Sequence, residues 1–250
     1  MVAGPKNNLF HFKEKTFMTA TLAFHIKTIP DTDGLRILYD LPQDTSAKDV
    51  ANIAYHQARQ QHGTEFLPLY QQRICAISCV LRAGESLKVW SLASNNAPEA
   101  EIIQSFFAVI DQYKPQIISW NGHAFDLPVL HYRALIHGVN ASAYWALYGV
   151  DIGINGHSPA CHLDLMAKLD AFSHHTNAAL NDLAKLCGFS GQSSLDGAKL
   201  WDMYKVGGID AIRADGEVAV TNIQLLYLRF QLMRGQLSHA AYEAEIKLLA

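Results

Sequence analysis

The sequence predicts an α/β domain with a helical C-terminal half. Short strand-like runs at residues 21–28, 73–81, 87–92 and 116–120 are separated, from residue 47 onward, by stretches of helical character. From about residue 162 only helical patterns follow. With 250 residues, 50% hydrophobic and 17% charged, the chain is long enough to bury a sizeable core, which excludes disorder, collagen and small disulfide scaffolds. It shows no repeat, linker or low-complexity segment, so one domain over residues 18–250 is expected. The preceding MVAGPKNNLFHFKEKTF lacks the apolar core of a secretory signal and reads as a disordered N-terminal extension, residues 1–17.

In TLAFHIKT, Leu22, Phe24 and Ile26 fall on one face and Ala23, His25 and Lys27 on the other, the period of a strand. Residues 47–62 are polar and helix-compatible, and RICAISCVL (73–81) reads as a buried strand. The turn AGES, with Gly84, leads into residues 87–92, which makes the two strands antiparallel neighbours. Asn96, Pro98 and Glu99 provide a cap, a first-turn proline and an N-terminal acid. The helix they start carries Ile102, Ile103, Phe106, Phe107 and Ile110 at helical spacing and stops before Pro115. Gln116 to Trp120 is a short buried strand ending in the turn Asn121-Gly122, followed by a helix over 127–137 closed by Gly138. Residues 149–161 read as a long loop, with helices expected at 162–172, 178–187, 195–206 and 208–234.

The formal net charge is -3, so no global basic field draws in nucleic acid or an anionic membrane, and any polyanion contact must be local. No stretch approaches the roughly 18 apolar residues that a membrane span requires. Cys75, Cys79, Cys161 and Cys187 show no CxxC spacing, which predicts reduced thiols and a cytoplasmic location.

The run WNGHAFDLPVLHYRAL (120–135) contains N-G-x-x-F-D-x-P-x-L at the end of a buried strand, and further matches run through FLPLYQQRICAIS (66–78), HLDLM (162–166), GAKLWDMY (197–204) and LLYLRFQLMRG (225–235). Together these resemble the DnaQ-like (DEDD) 3'-5' exonucleases, in particular the bacterial group related to the proofreading domain of family-B DNA polymerases. The resemblance covers nearly everything from Met18 onward. It implies an RNase H-like fold with a mixed central sheet flanked by helices. It also implies hydrolysis by two divalent ions, Mg²⁺ or Mn²⁺, held by carboxylates from the first strand, from the turn after the fourth strand and from a late helix.

Residue by residue, the carry-over departs from that pattern. Where the family reads F-D-I-E-T-x-P-D, this chain reads F-H-I-K-T-I-P-D, with His25 and Lys27 in place of two acids. Asp126 is kept. Ala219 stands where the late-helix Asp belongs, and Asp215 stands where a Tyr is common, one turn earlier and a possible substitute acid. Three of the four metal-holding positions have therefore lost their carboxylate, and Lys27 is expected to neutralise Asp126 in place of a metal. No cofactor and no metal are expected.

The expected function is a catalytically inactive, exonuclease-like protein that binds single-stranded nucleic acid through Lys27, Asn121, His123 and Phe125. The alternatives are an active exonuclease with a site rebuilt around Asp126, Asp215 and a histidine, and a protein-interaction module. Other readings of single residues stay open. Asp126 is equally suited to capping its helix, and His25 and Lys27 to lining a wet groove. His25, His123 and Asp126, or His157, Cys161 and His162, could ligate a transition metal. Asp164 reads as a helix cap, His174 and His175 as surface, and Trp120, Phe125, Tyr132 and Trp201 as core.

Overall fold

The computed structural model describes residues 20–93, 97–148, 162–170, 178–190, 195 and 197–249. Its first strand, β1 (Thr21–Pro30), occupies the middle of the sheet, where both edges are paired. Leu22, Phe24 and Ile26 enter one apolar cluster and Ala23 another, the two-faced burial that the alternation predicts. Asp31 caps α1 (Thr32–Leu38) by accepting from the Gly34 amide, and Ser46 caps α2 (Ala47–His62) from the Asp49 amide. β2 (Gln72–Ala83) and β3 (Ser86–Ala93) form the expected hairpin, with Gly84 at φ +59 in the turn, a conformation costly to any residue with a Cβ.

β2 runs antiparallel to β1, and their register slips after Lys27: Lys27 faces Ala76 while Thr28 faces Ile74. Cys75 is left without an opposite residue and donates its thiol to the Lys27 carbonyl at 3.3 Å. Such a bulge bends the strand and re-aims the side chains beside it.

α3 (Glu99–Tyr113) lays Ile103, Phe106 and Ile110 on the Leu22 face and ends with Lys114 in the left-handed region before Pro115. β4 (Gln116–Ser119) pairs parallel to β1 on its other edge, and α4 (Asp126–His137) follows, closed by Gly138 at φ +62. α5 (Ser142–Tyr148) packs on α3. β5 (His162–Asp164) and α6 (Leu165–Leu169) then replace the single helix expected over 162–172. Three residues are too few to show a period, and only pairing with β4 makes them a strand.

α7 (Leu180–Leu186), α8 (Gly197–Lys205), α9 (Ile209–Met233) and α10 (His239–Lys247) complete the chain. α9 covers the second sheet face, where Val220, Ile223 and Tyr227 meet Ala23, Val80 and Ile118. The sheet order β3-β2-β1-β4-β5, with helices on both faces, is the mixed α/β arrangement of RNase H-like exonucleases. No helix among the described residues is long and apolar enough to cross a membrane. The N-terminal extension, Asn96, the 149–161 loop and His174 and His175 lie outside the described residues.

One feature of α3 departs from its sequence reading. Glu99 does occupy the first turn, yet it is buried, because Arg133 from α4 places Nε 2.9 Å and Nη2 2.5 Å from its two carboxylate oxygens. The Ile74 amide and the His137 ring complete its shell at 2.6 and 2.8 Å, and Arg133 reaches Asp31 at 2.6 Å. Three elements, α3, α4 and β2, meet at this one carboxylate. Glu99→Ala leaves the buried Arg133 guanidinium with Asp31 as its remaining carboxylate and is expected to cost about 3 kcal/mol in urea unfolding, whereas exposed Glu101→Ala should stay within about 0.5 kcal/mol.

Candidate functional site

β1 and the N-terminus of α4 meet at Asp126. Its side chain makes no capping hydrogen bond within α4. Oδ1 instead accepts the Ile26 amide at 2.9 Å, and the His25 Nδ1 lies 3.3 Å from the same oxygen. The residue is almost wholly buried. Capping thus fails as the role of Asp126; it ties the strand to the helix across the sheet end.

Lys27 does not neutralise Asp126 as expected. Its Nζ lies 2.5 Å from Asp215 Oδ2, with the two side chains only 7% and 9% exposed. The alternation of β1 aims Lys27 at α9, and the helical frame of α9 aims Asp215 back at β1. Gly216 lets the helix come this close: a Cβ there would collide with the Ser78 hydroxyl and touch the Lys27 stem. Asp215 Oδ1 also accepts the Leu195 amide at 3.3 Å, so the pair joins β1, α9 and the approach to α8. Ala219 lies one turn further along α9, on the side of Asp215, and is buried.

The turn that carries Asn121 and His123 is organised by Asp164. The Asn121 amide donates to Oδ1 and the His123 amide to Oδ2, both at 3.0 Å, while Oδ1 also accepts the Met166 and Ala167 amides as the α6 cap. Asn121 takes φ +63, which asparagine tolerates, and Gly122 passes so near Ser119 that any Cβ would strike its hydroxyl. The His123 ring stands edge-on to His162 at 4.3 Å, and His162 Nε2 is 2.8 Å from Ser119 Oγ.

Beside the outer half of β1 lies a cavity of about 400 Å³. His25, Lys27 and Thr28 form its floor, Phe66, Phe125 and Tyr55 its aromatic walls, and Leu195 and Leu200 its far side. The Phe66 and Phe125 rings are 5.9 Å apart and tilted. Of the four residues expected to contact nucleic acid, Lys27 and Phe125 line this cavity; Asn121 and His123 do not. Tyr132 is exposed, which corrects its reading as core, whereas Trp120 and Trp201 are core and Phe125, partly buried, packs against the core. Phe66 and Tyr55 carry no sequence signal of their own, although Phe66 opens the run FLPLYQQRICAIS.

The donor set does not fit a two-metal centre. Asp126 already accepts a backbone amide, Asp215 holds an ammonium, and Ala219 offers no ligand. A hard divalent cation entering here would meet the Lys27 charge with too few oxygens to replace its water. Among the described residues no group of three or more His, Cys, Asp or Glu side chains stands together to hold an ion. That includes His25, His123 and Asp126; His157 and Cys161 lie outside the described residues.

Residues 64–250 match the sequence model of a family described as a predicted 3'-5' exonuclease related to the exonuclease domain of PolB. No curated protein matches the chain. The matched span includes Asp126, Asp215 and Ala219 and begins after the β1 residues His25 and Lys27.

The ion pair makes its own prediction. Asp215→Asn removes the carboxylate from a buried ammonium and should destabilise the fold by about 3–5 kcal/mol, while Lys27→Met with Asp215→Leu, which removes both charges, should recover most of that loss. A double-mutant cycle by urea unfolding checks it, and additive losses would mean the two charges are not coupled.

Proposed function

The chain belongs to the family of predicted 3'-5' exonucleases related to the exonuclease domain of PolB, and from that membership we propose that it is a catalytically silent member that binds the end of a single-stranded nucleic acid in the β1 cavity. The observation that carries this reading is the buried Lys27–Asp215 pair. Phosphodiester hydrolysis of this class depends on two cations that activate water and stabilise the leaving oxygen, and the ground where carboxylates would hold them is taken by an internal ammonium. The Lys27 ammonium pairs with Asp215 and supplies no open coordination position.

What remains is a cavity suited to a nucleobase. Phe125 and Phe66 offer ring faces for stacking, an interaction that tolerates any base, and His25 offers a ring nitrogen at the floor. Lys27 contributes to the floor, with its charge engaged by Asp215. Because the chain carries a formal charge of -3, phosphate attraction adds little, so affinity rests on stacking and its salt dependence should be shallow.

A labelled oligonucleotide should survive incubation with Mg²⁺ or Mn²⁺; digestion that Asp126→Ala abolishes would establish the active, rebuilt-site alternative instead. Phe125→Ala should weaken single-strand binding about tenfold in fluorescence anisotropy, the loss of one stacked base. An unchanged affinity would remove the cavity from the binding site.

The triple variant His25→Asp, Lys27→Glu, Ala219→Asp returns acids to the three altered positions. It should lose at least the about 3–5 kcal/mol of Asp215→Asn without metal, because Lys27→Glu breaks the buried pair and sets a second carboxylate against Asp215, and regain melting temperature on adding Mn²⁺. Calorimetry that finds a folded variant without Mn²⁺ binding would show that the geometry of the cleft, and not only its charge, has changed.

A further inference from the structure

We propose that the outer face of α4 is a self-association surface, by which two copies of this chain pair about a two-fold axis. The sequence of α4, DLPVLHYRALIH, contains one Asp and one Arg and no other Asp, Glu, Lys or Arg, and both of these are buried, Asp126 against β1 and Arg133 against Glu99. The helix thus turns its charges inward. Leu127, Val129, Leu130 and Ala134 pack inward, and three large side chains stay on the outer face: Tyr132 is 45% exposed, Leu135 80% and Ile136 56%. A surface helix that folds for solubility alone carries charged and polar residues on that outer face.

The face extends beyond the helix on both flanks. Tyr70, 45% exposed, stands edge-on to Tyr132 with ring centroids 6.2 Å apart. Trp145 of α5, also 45% exposed, lies against His131 at 4.7 Å. His131 is itself bonded to Tyr144 at 3.0 Å, and burial pushes its pKa below the ordinary histidine value, so it adds no charge at neutral pH. Tyr70, Tyr132, Leu135, Ile136 and Trp145 together expose on the order of 600 Å², the upper end of what a monomer leaves uncovered and most of the roughly 800 Å² that one partner contributes to a standard interface.

Charge selects the occupant. None of these five residues is a lysine or arginine, so the face offers a nucleic-acid backbone no counter-charge. Two copies of the chain, each with a formal charge of -3, repel wherever their charged surfaces meet, and a charge-free face is where that repulsion is least. His131 with Leu135, and Tyr132 with Ile136, form adjacent i, i+4 ridges, and two such helices seat each other's ridges in their grooves. A two-fold axis through α4 brings the same residues together from both copies, as an isologous contact requires.

Sedimentation velocity from about 1 to about 100 μM is the test, with affinity read from the concentration dependence. The chain should move from monomer toward dimer, and Leu135→Glu and Ile136→Asp should each raise the dissociation constant about 30-fold or more, the effect of removing a central anchor. Circular dichroism should show both variants folded, since these side chains are exposed. Leu186→Glu, on α7 at a position 85% exposed, should leave the association unchanged. A wild-type chain that stays monomeric throughout, or a dimer indifferent to Leu135→Glu, overturns the proposal. So does a monomer whose Leu135→Glu variant loses oligonucleotide affinity, which would assign the face to nucleic acid. The cavity reading is tested separately by Phe125→Ala, so either can fail alone.

Discussion

Lys27 carries its ammonium to a place where the residue is 6% exposed, and an isolated charge there would be expelled or neutralised. Asp215 is what makes the position tenable. Because the two come from the central strand and the longest described helix, their 2.5 Å contact sets how α9 lies on the sheet, and the bulge after Lys27 and the missing Cβ at Gly216 both serve that approach. The Leu195 amide on the second oxygen of Asp215 extends the constraint to the segment that leads into α8, which forms the far wall of the cavity. The floor and far wall of the candidate binding site are thus positioned by one ion pair.

The same pair bears on Asp126. In a cleft of several carboxylates, Asp126 would need external cations to relieve repulsion. Here it faces the Ile26 amide and the His25 ring, so it joins β1 to α4 with no ion required. Asp164 does similar work nearby, with four backbone amides converging on its two oxygens. Glu99 does it on the opposite side of β1 with Arg133 and the Ile74 amide. In this protein buried carboxylates act chiefly as clamps for backbone and strand ends.

α4 stands between the two proposed surfaces. Its N-terminus contributes Asp126 and, one residue earlier, Phe125 of the cavity; its middle contributes Arg133 to the Glu99 cluster; its outer face carries Tyr132, Leu135 and Ile136. A helix that spends both charges inside has only apolar side chains and histidines left for solvent. That trade explains how a helix with a buried structural role comes to expose a patch fit for a partner.

Local pattern determined a good deal. The period-two face of β1, the Gly84 hairpin, the stop before Pro115, the Gly138 cap and the run of helices after residue 178 were all legible, because each is encoded by neighbours within a few positions. The resemblance, too, marked residues 25, 27 and 219 as places where the similar family carries acids, since a motif can be compared position by position wherever it is recognised. Tertiary structure alone decided the partners. That Lys27 would choose Asp215, 188 positions away, over Asp126, 99 positions away, depends on the path of α9 across the sheet. That Glu99 is a buried hub, that residues 162–164 form a strand, and that Tyr132 faces solvent follow equally from distant packing. A side chain's type is written locally, but the field that assigns its partner is the sum of elements brought together only by folding.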